Sequence, residues 1–391
     1  MANNKKVILE GSRAIALTVK NIRPAVVSAY PITPQTHIVE DLASFKADGQ
    51  VDYEYIRAES EFAAASIIAG ASATGVRVYS ATSSQGLLLM TEVLFNIAGM
   101  RLPIVMTCAN RAVSAPINIW NDQQDVMVIR DAGWILLFAE NHQEAVGQHI
   151  MAYKIAEQLK LPVMVNVDGF LITHTYEPVV IPTVEQIKRY LPDYQPKPGD
   201  YLDPKNPVTM GYLASPAHYQ EIRQQLHNDL VASLKVINRE YNKYHQIIKE
   251  AKLPIGSLAS NSNGLIEYYG PKNAKILLIA MGSVVGTIKD IIDQTKNIAV
   301  LKIKCFRPFP TEEILKVIKQ AKYIAILDKS ISLGHLGTLA SDIKAIAQGK
   351  IKAKIQSFIV GLGGRDVTKE MIVRIIREVG GKGERMEFIG K

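Results

Sequence analysis

A chain of 391 residues, 48% hydrophobic and 21% charged, is long enough to bury more than one core, so two domains plus connecting structure are expected. The formal charge of +8 is unevenly placed: residues 1–150 hold 11 Lys plus Arg against 14 Asp plus Glu, and residues 151–391 hold 34 against 23, which argues against a uniform nucleic-acid-binding surface. The only cysteines, Cys108 and Cys305, stand alone, excluding a disulfide framework and a complete ordinary iron–sulfur cluster, which needs four protein ligands.

The N-terminal MANNKKVILEGSRAIAL lacks the charged segment, long apolar run and small-residue cleavage site of a secretory leader. No stretch approaches the roughly 20 apolar residues that cross a bilayer. A soluble, cytoplasmic protein with no membrane or nucleic-acid partner is expected.

Residues 7–29 read as a short apolar segment, a helix-capable stretch and the strand-like AVVSAY. In YPITPQTHIVEDLASF a strand end, a tight turn and a helix follow, with Thr33 as the expected cap and Pro34 in the first turn. EYIRAESEFAAASIIAGASATG places Glu61 near the start of an Ala-rich helix, and RVYSATSSQG is a strand entering a polar loop. The helix LLLMTEVLFNIAG, the strand LPIVMTCAN, WILLFAE with HQEAVGQHIMAYKIAEQL, and LPVMVNVDG continue the alternation. Repeated strand, loop and helix units predict a mostly parallel sheet covered on both faces.

From residue 177 the pattern becomes a Pro-rich connection, and residues 217–250 read as a long helix with Ile222, Leu226, Leu230, Leu234, Ile237, Tyr241, Tyr244 and Ile248 on one stripe. A second α/β unit is expected from about 265, with AKILLIAMGS, IAVLKIKCFRPF, AKYIAILD and AKIQSFIVG as strands and PTEEILKVIK and LGTLASDIKAIA as helices. Gly282 and Gly286 lack the dinucleotide-binding pattern and are read as turns. His37, His142 and His174 form no recognisable metal motif or triad, so no metal ligand is assigned. By residue chemistry alone, Glu61 is a favourable helix-end charge, Thr33 a cap and Arg111 a surface ion-pair residue.

YPITP at 30–34, ESEFAAA at 59–65, TSSQG at 82–86, NRAVSAPINIWNDQQD at 110–125, DGF at 168–170, RPFP at 307–310 and GLGGRDVT at 361–368 occur in one order along nearly the whole chain. Together they resemble the alpha subunits of pyruvate synthases, the pyruvate:ferredoxin oxidoreductases of the 2-oxoacid:ferredoxin oxidoreductase family. The resemblance implies an α/β protein: a thiamin diphosphate-binding fold that holds the pyrimidine ring (residues 1–200), a connecting segment with the long helix (201–264), and a transketolase C-terminal-like α/β domain (265–391). It also implies thiamin diphosphate shared with a beta subunit, Mg2+ and [4Fe-4S] clusters on partner subunits, and gamma and delta subunits in the full assembly, a dimer of the heteromeric unit. Ferredoxin and coenzyme A are substrates of that complex. No diphosphate-binding segment opening with GDG and closing with Asn is found, in keeping with that division of labour.

Residue by residue, the resemblance makes Glu61 the acid at N1′ of the aminopyrimidine, promoting the tautomer that lets the 4′-imino group take the thiazolium C2 proton. Phe62 and the nearby alanines are expected to keep that acid protonated. Thr33 and Arg111 are implied to hold the substrate carboxylate, the guanidinium by two parallel donors. Ser84, Gln85 and Gly86 are implied to shape the cofactor loop. Asp122 and Asp125 are expected to organise the arginine loop or a subunit boundary, and Asn110 stands where many relatives have a small residue. A hydroxyl rather than a second cation at position 33 favours pyruvate over a dicarboxylic acid. The alternatives are a related enzyme for 2-oxoglutarate or branched-chain 2-oxoacids, or a noncatalytic structural subunit of such a complex.

Overall fold

The computed structural model describes residues 6–248, 260–381 and 386–390. Two seven-stranded sheets dominate it. The first runs, edge to edge, through Cys305–Arg307, Ile135–Phe138, Val163–Asp168, Val105–Asn110, Val78–Thr82, Val26–Ala29 and Glu54–Arg57. Every neighbouring pair is parallel except the first, which is antiparallel. Val105–Asn110 and Val163–Asp168 are buried at every position, as strands of a parallel sheet covered on both faces must be.

Local chemistry sets the helices between them. Ser60 accepts the Ala63 N–H at 3.1 Å and opens the helix Glu61–Ala73, whose small side chains let it lie close on the sheet. Asn141 opens His142–Leu159 in the same way, accepting the Glu144 N–H at 2.9 Å, and Lys160 closes it in the left-handed conformation. A capping box between Thr183 and Gln186 starts Val184–Tyr190. The long helix is Pro216–Ile247; its expected last residues, 249 and 250, lie outside the described residues. Leu226, Ile237, Tyr244 and Ile248 of its stripe are buried, and the helix packs on His142–Leu159 and Val184–Tyr190.

The second sheet runs through Met386–Phe388, Lys354–Ile359, Tyr323–Asp328, Ile276–Ala280, Ile298–Ile303, Ile266–Tyr269 and Ser260–Ser262. It is parallel up to Ile298–Ile303 and antiparallel beyond.

Two expectations need correction. IAVLKIKCFRPF is not one strand: Ile298–Ile303 stays in the second sheet, whereas Cys305–Arg307 crosses over and pairs with Leu136 and Leu137 of the first. Lys304 is the pivot, donating its N–H to Leu265 and accepting the Phe138 N–H through its carbonyl at 2.8 Å. Thr33 does not cap the following helix, which is Thr36–Ala47 with Gln35 at the cap position. Residues 33–35 form a turn, and the Gln35 side-chain amide anchors it by donating to the Ala81 carbonyl at 2.7 Å.

A buried ion cluster joins the two sheets. Lys302, 2% exposed, lies 2.7 Å from Glu140, 2.6 Å from Glu144 and 3.7 Å from Glu267. Lys289 reaches Glu140 and Glu267 at 2.8 Å each, and Lys304 reaches Glu144 at 3.2 Å. Burial alone would raise the Glu144 carboxyl, but Lys302 and Lys304 outweigh it and hold the group down at about 2.

Candidate active site

Because five consecutive neighbours of the first sheet are parallel, the loops leaving their C-terminal ends gather on one edge. Those loops carry Gly169 after Val163–Asp168, Arg111 after Val105–Asn110, Ser84 after Val78–Thr82, Thr33 after Val26–Ala29 and Glu61 after Glu54–Arg57. From Val26–Ala29 the chain first builds outward to Glu54–Arg57 and then returns to the other side with Val78–Thr82. The loops containing Thr33 and Ser84 therefore part at the switch point, where open α/β sheets form a crevice.

Glu61, 7% exposed, is the first residue of its helix. Beside it lies Gly86: a Cβ there would fall 2.5 Å from Thr82 Oγ1 and 2.6 Å from Glu61 Oε1. The Thr82 hydroxyl is buried and unpartnered among the described residues, as is Gln35 Oε1. Phe62 does not enclose the carboxyl as expected; it is 40% exposed on the outer face of the helix.

Arg111 is buried. Its Nε donates to the Asn118 carbonyl at 3.1 Å and its Nη1 to the Thr33 carbonyl at 2.8 Å. The structure thus joins the two residues through the Thr33 backbone, while the exposed Thr33 side chain remains at the mouth. Nε and one Nη1 hydrogen are spent on protein, leaving the second Nη1 hydrogen and Nη2 as the donors that could meet a planar anion. Among the described residues no carboxylate pairs with the guanidinium within 4.0 Å, although burial pulls its pKa down and only Asp125, at longer range, pushes it back up.

Asp125 ties the loops of Ser84 and Arg111 together. Fully buried, it accepts the backbone N–H of Ser84 and of Arg111 at 3.0 Å each and the Asn110 side-chain amide at 2.9 Å. Burial raises its carboxyl, and these donors hold it back. Ser84, with φ at +46°, donates its hydroxyl to the Ala112 carbonyl, and Gln85 reaches the Ser114 carbonyl at 3.5 Å. Both side chains brace the arginine loop. Sequence gave Asp125 only a general organising role, because nothing in its spacing tells which backbone amides it will meet.

The DGF segment packs under this loop. The Gly169 N–H donates to the Asn110 carbonyl at 3.1 Å, and a Cβ on Gly169 would meet that oxygen and Pro34 at 2.6 Å. Burial would raise the Asp168 carboxyl, but Lys329 at 3.1 Å and donors from Ser283 and Gln123 hold it below its usual range. Asp168 is therefore the peg on which Gly282, Ser283 and Lys329 of the second sheet's loops dock.

From the far side, GLGG presses on the arginine loop. Gly363 donates to Asp122 at 3.1 Å and accepts from Asn118 at 3.0 Å, and Gly364 donates to the Asn121 carbonyl at 2.6 Å. Asp122 is lifted by burial to about 7. Arg307 of RPFP is committed to Asp342 at 2.9 Å, and Arg365 to the Gly390 carbonyl. Cys108 and Cys305 are free and buried, and burial pushes both thiols up, away from nucleophilic use. His142 is buried against Thr175 and Glu177, whereas His37 and His174, distant in sequence, stack with ring centroids 4.5 Å apart.

Residues 18–243 match a family of pyruvate flavodoxin/ferredoxin oxidoreductase thiamine-diphosphate-binding domains, and residues 274–372 match pyruvate:ferredoxin oxidoreductase core domain II. The chain is 46% identical to the pyruvate synthase subunit PorA of Methanosarcina barkeri, over 96% of this chain and 92% of that one. It is 47% identical to the PorA of Methanocaldococcus jannaschii, over 95% and 94%. The ketoisovalerate oxidoreductase subunit VorA of Pyrococcus horikoshii is 37% identical over 96% and 94%. Among solved structures, a 2-oxoglutarate:ferredoxin oxidoreductase from Magnetococcus marinus shares the fold with a TM-score of 0.70 at 19% identity; the match covers 96% of this chain and 65% of that one. On these full-length matches, the chain belongs to the pyruvate flavodoxin/ferredoxin oxidoreductase family.

Proposed function

We propose that this chain is the alpha subunit of a multi-subunit pyruvate:ferredoxin oxidoreductase, which converts pyruvate, coenzyme A and oxidised ferredoxin reversibly to acetyl-CoA, carbon dioxide and reduced ferredoxin. Its own tasks are to activate thiamin diphosphate and to place the substrate carboxylate. The observation that carries the reading is a buried acid and a buried cation, the latter with no carboxylate within 4.0 Å among the described residues, both on loops at one edge of a parallel sheet: Glu61 beside Gly86, and Arg111 anchored to Thr33.

The residues fit the cofactor. Gly86 lets the Glu61 carboxyl and the Thr82 hydroxyl pack against its backbone, and the unpartnered polar atoms of Thr82 and Gln35 offer the donor and acceptor that a heteroaromatic ring bearing both would use. When bound, thiamin diphosphate supplies the electron sink for loss of carbon dioxide. Glu61 is placed to hydrogen-bond the pyrimidine nitrogen. Arg111 presents its second Nη1 hydrogen and Nη2 to the 2-oxoacid carboxylate, and the Thr33 hydroxyl fixes that group's rotation. Ser84 and Gln85 keep the arginine loop at its distance from the cofactor loop.

Mg2+, the [4Fe-4S] clusters and the diphosphate ligands belong, on this reading, to beta, gamma and delta partners in the cytoplasm, because this chain offers too few cysteines and no diphosphate-binding segment. In the reconstituted complex, Glu61→Gln is expected to slow proton exchange at the cofactor's C2 by about 100-fold or more while assembly survives. Unchanged exchange would remove Glu61 from its role. Comparison of kcat/KM for pyruvate, 2-oxoglutarate and branched-chain 2-oxoacids tests the substrate, and a higher value for either rival would overturn pyruvate.

A further inference from the structure

Three segments far apart in sequence bring metal-ligating side chains to one point outside the site above. Glu10 ends the strand Val7–Glu10, His37 lies in the helix Thr36–Ala47, and His174 lies in the loop before the strand Tyr176–Val179. His37 Nδ1 is 2.6 Å from Glu10 Oε1, and one ligand atom from each of the three residues lies within 4.8 Å of the others.

A surface ion pair between Glu10 and His37 needs only one imidazole. The second ring is held there by contacts of its own: His174 Nδ1 lies 2.7 Å from the Thr173 hydroxyl, whose oxygen accepts the Phe170 N–H at 2.8 Å. When Nδ1 donates to that hydroxyl, the ring is fixed and its other nitrogen, Nε2, carries the lone pair, the arrangement that metal-binding histidines use.

We propose that Glu10, His37 and His174 bind one divalent cation of the zinc class (Zn2+, Co2+ or Ni2+), with water completing the coordination sphere. Two imidazoles and a single carboxylate suit these ions, whereas Mg2+ and Ca2+ call for oxygen donors. The half-exposed His37 leaves the site open to solvent for entry of the ion. The cation would clamp three segments around the mouth of the crevice. His37 lies four residues beyond Thr33, and the His174 ring packs on Phe170 at 4.7 Å, which packs on Trp120 of the arginine loop at 4.6 Å. Binding is independent of the roles given to Thr33 and Arg111; only an effect on turnover would depend on them.

The test is titration of the untagged, chelator-treated full chain with Co2+, followed by its visible absorption, and with Zn2+ in a calorimeter. One equivalent is expected to bind and to raise Tm, and His37→Ala or His174→Ala is expected to weaken binding about 10-fold or more, with the double variant silent. Far-UV circular dichroism checks that the variants fold, and His→Asn replacements give the same reading if an alanine variant does not. Failure of the wild-type chain to bind one equivalent, or equal affinity in the double variant, would overturn the site. Neither readout requires cofactor, substrate or partner subunits, so this proposal and the assigned activity can fail separately.

Discussion

Gly86 is required for a reason that its φ does not reveal, because it sits inside a helix of ordinary handedness. What matters is the missing Cβ, whose place is filled by Glu61 and Thr82. Gly86→Ala must push the Glu61 carboxyl aside, and a shift of even 1 Å from productive geometry costs about 100-fold in rate. Turnover of the reconstituted complex should fall by about that factor while the Tm of the chain changes little; near-normal turnover would mean that the carboxyl has room to yield. At this scale the sequence was informative about residue types and poor about partners. Glu61 and Arg111 stand out once the ordered fragments are recognised, and both are buried at the expected edge. That Arg111 would also grip the Thr33 carbonyl could not be read, since a backbone acceptor leaves no mark in the sequence. Asp125 was visible only as an acid in a polar run, yet it ties Ser84 to Arg111.

At the level of elements, the alternation of apolar strands and helices correctly indicated the parallel sheets, and with them the edge on which the loops would gather. What it concealed was the change of sheet at Lys304, since two short apolar strands separated by one residue look the same as one long strand. The same stretch hid the buried ion cluster, for a lysine within IAVLKI reads as an exposed edge position. In the fold Lys302, with Lys289 and Lys304, balances Glu140, Glu144 and Glu267, three acids drawn from two sheets' worth of structure. Lys302→Met would leave three buried carboxylates to share Lys289 and Lys304, and breaking a buried pair by deleting one partner costs about 3–5 kcal/mol. Denaturant unfolding at pH 7 should register a loss of that size, whereas a loss typical of a surface pair, under about 1 kcal/mol, would show that water reaches the cluster.

For the whole molecule, buried titratable groups decide how far the pH can fall. His149 donates or accepts only within the core, to Thr107 at 2.6 Å and Ala145 at 2.7 Å, and burial brings its pKa down to about 4 from 6.5. An unfolded chain takes up that proton sooner, so the contribution of the neutral His149 is intact above pH 6.5 and is lost as the pH falls toward 4. Glu144, held at about 2 against 4.5, adds a second stage: its contribution is present above pH 4.5 and is lost on the way down to 2. Each stage is worth on the order of 3 kcal/mol. Because Asp122, lifted to about 7, acts in the opposite sense over the same range, the His149 stage is read as a difference: between pH 6.5 and 4 the denaturation midpoint of the wild type should lose ground relative to that of His149→Gln, if that variant keeps the Thr107 contact.

The crossing of Cys305–Arg307 into the first sheet bears on how this polypeptide could be dissected. A fragment ending near residue 264 would contain all the proposed chemistry but would leave Ile135–Phe138 as a bare, apolar margin inviting self-association. The distal fragment would carry the missing ribbon with nothing to clasp. The halves are thus interlocked rather than merely tethered, and co-expressing them as separate pieces should rescue solubility only when the ribbon is supplied, either in the second piece or grafted onto the first.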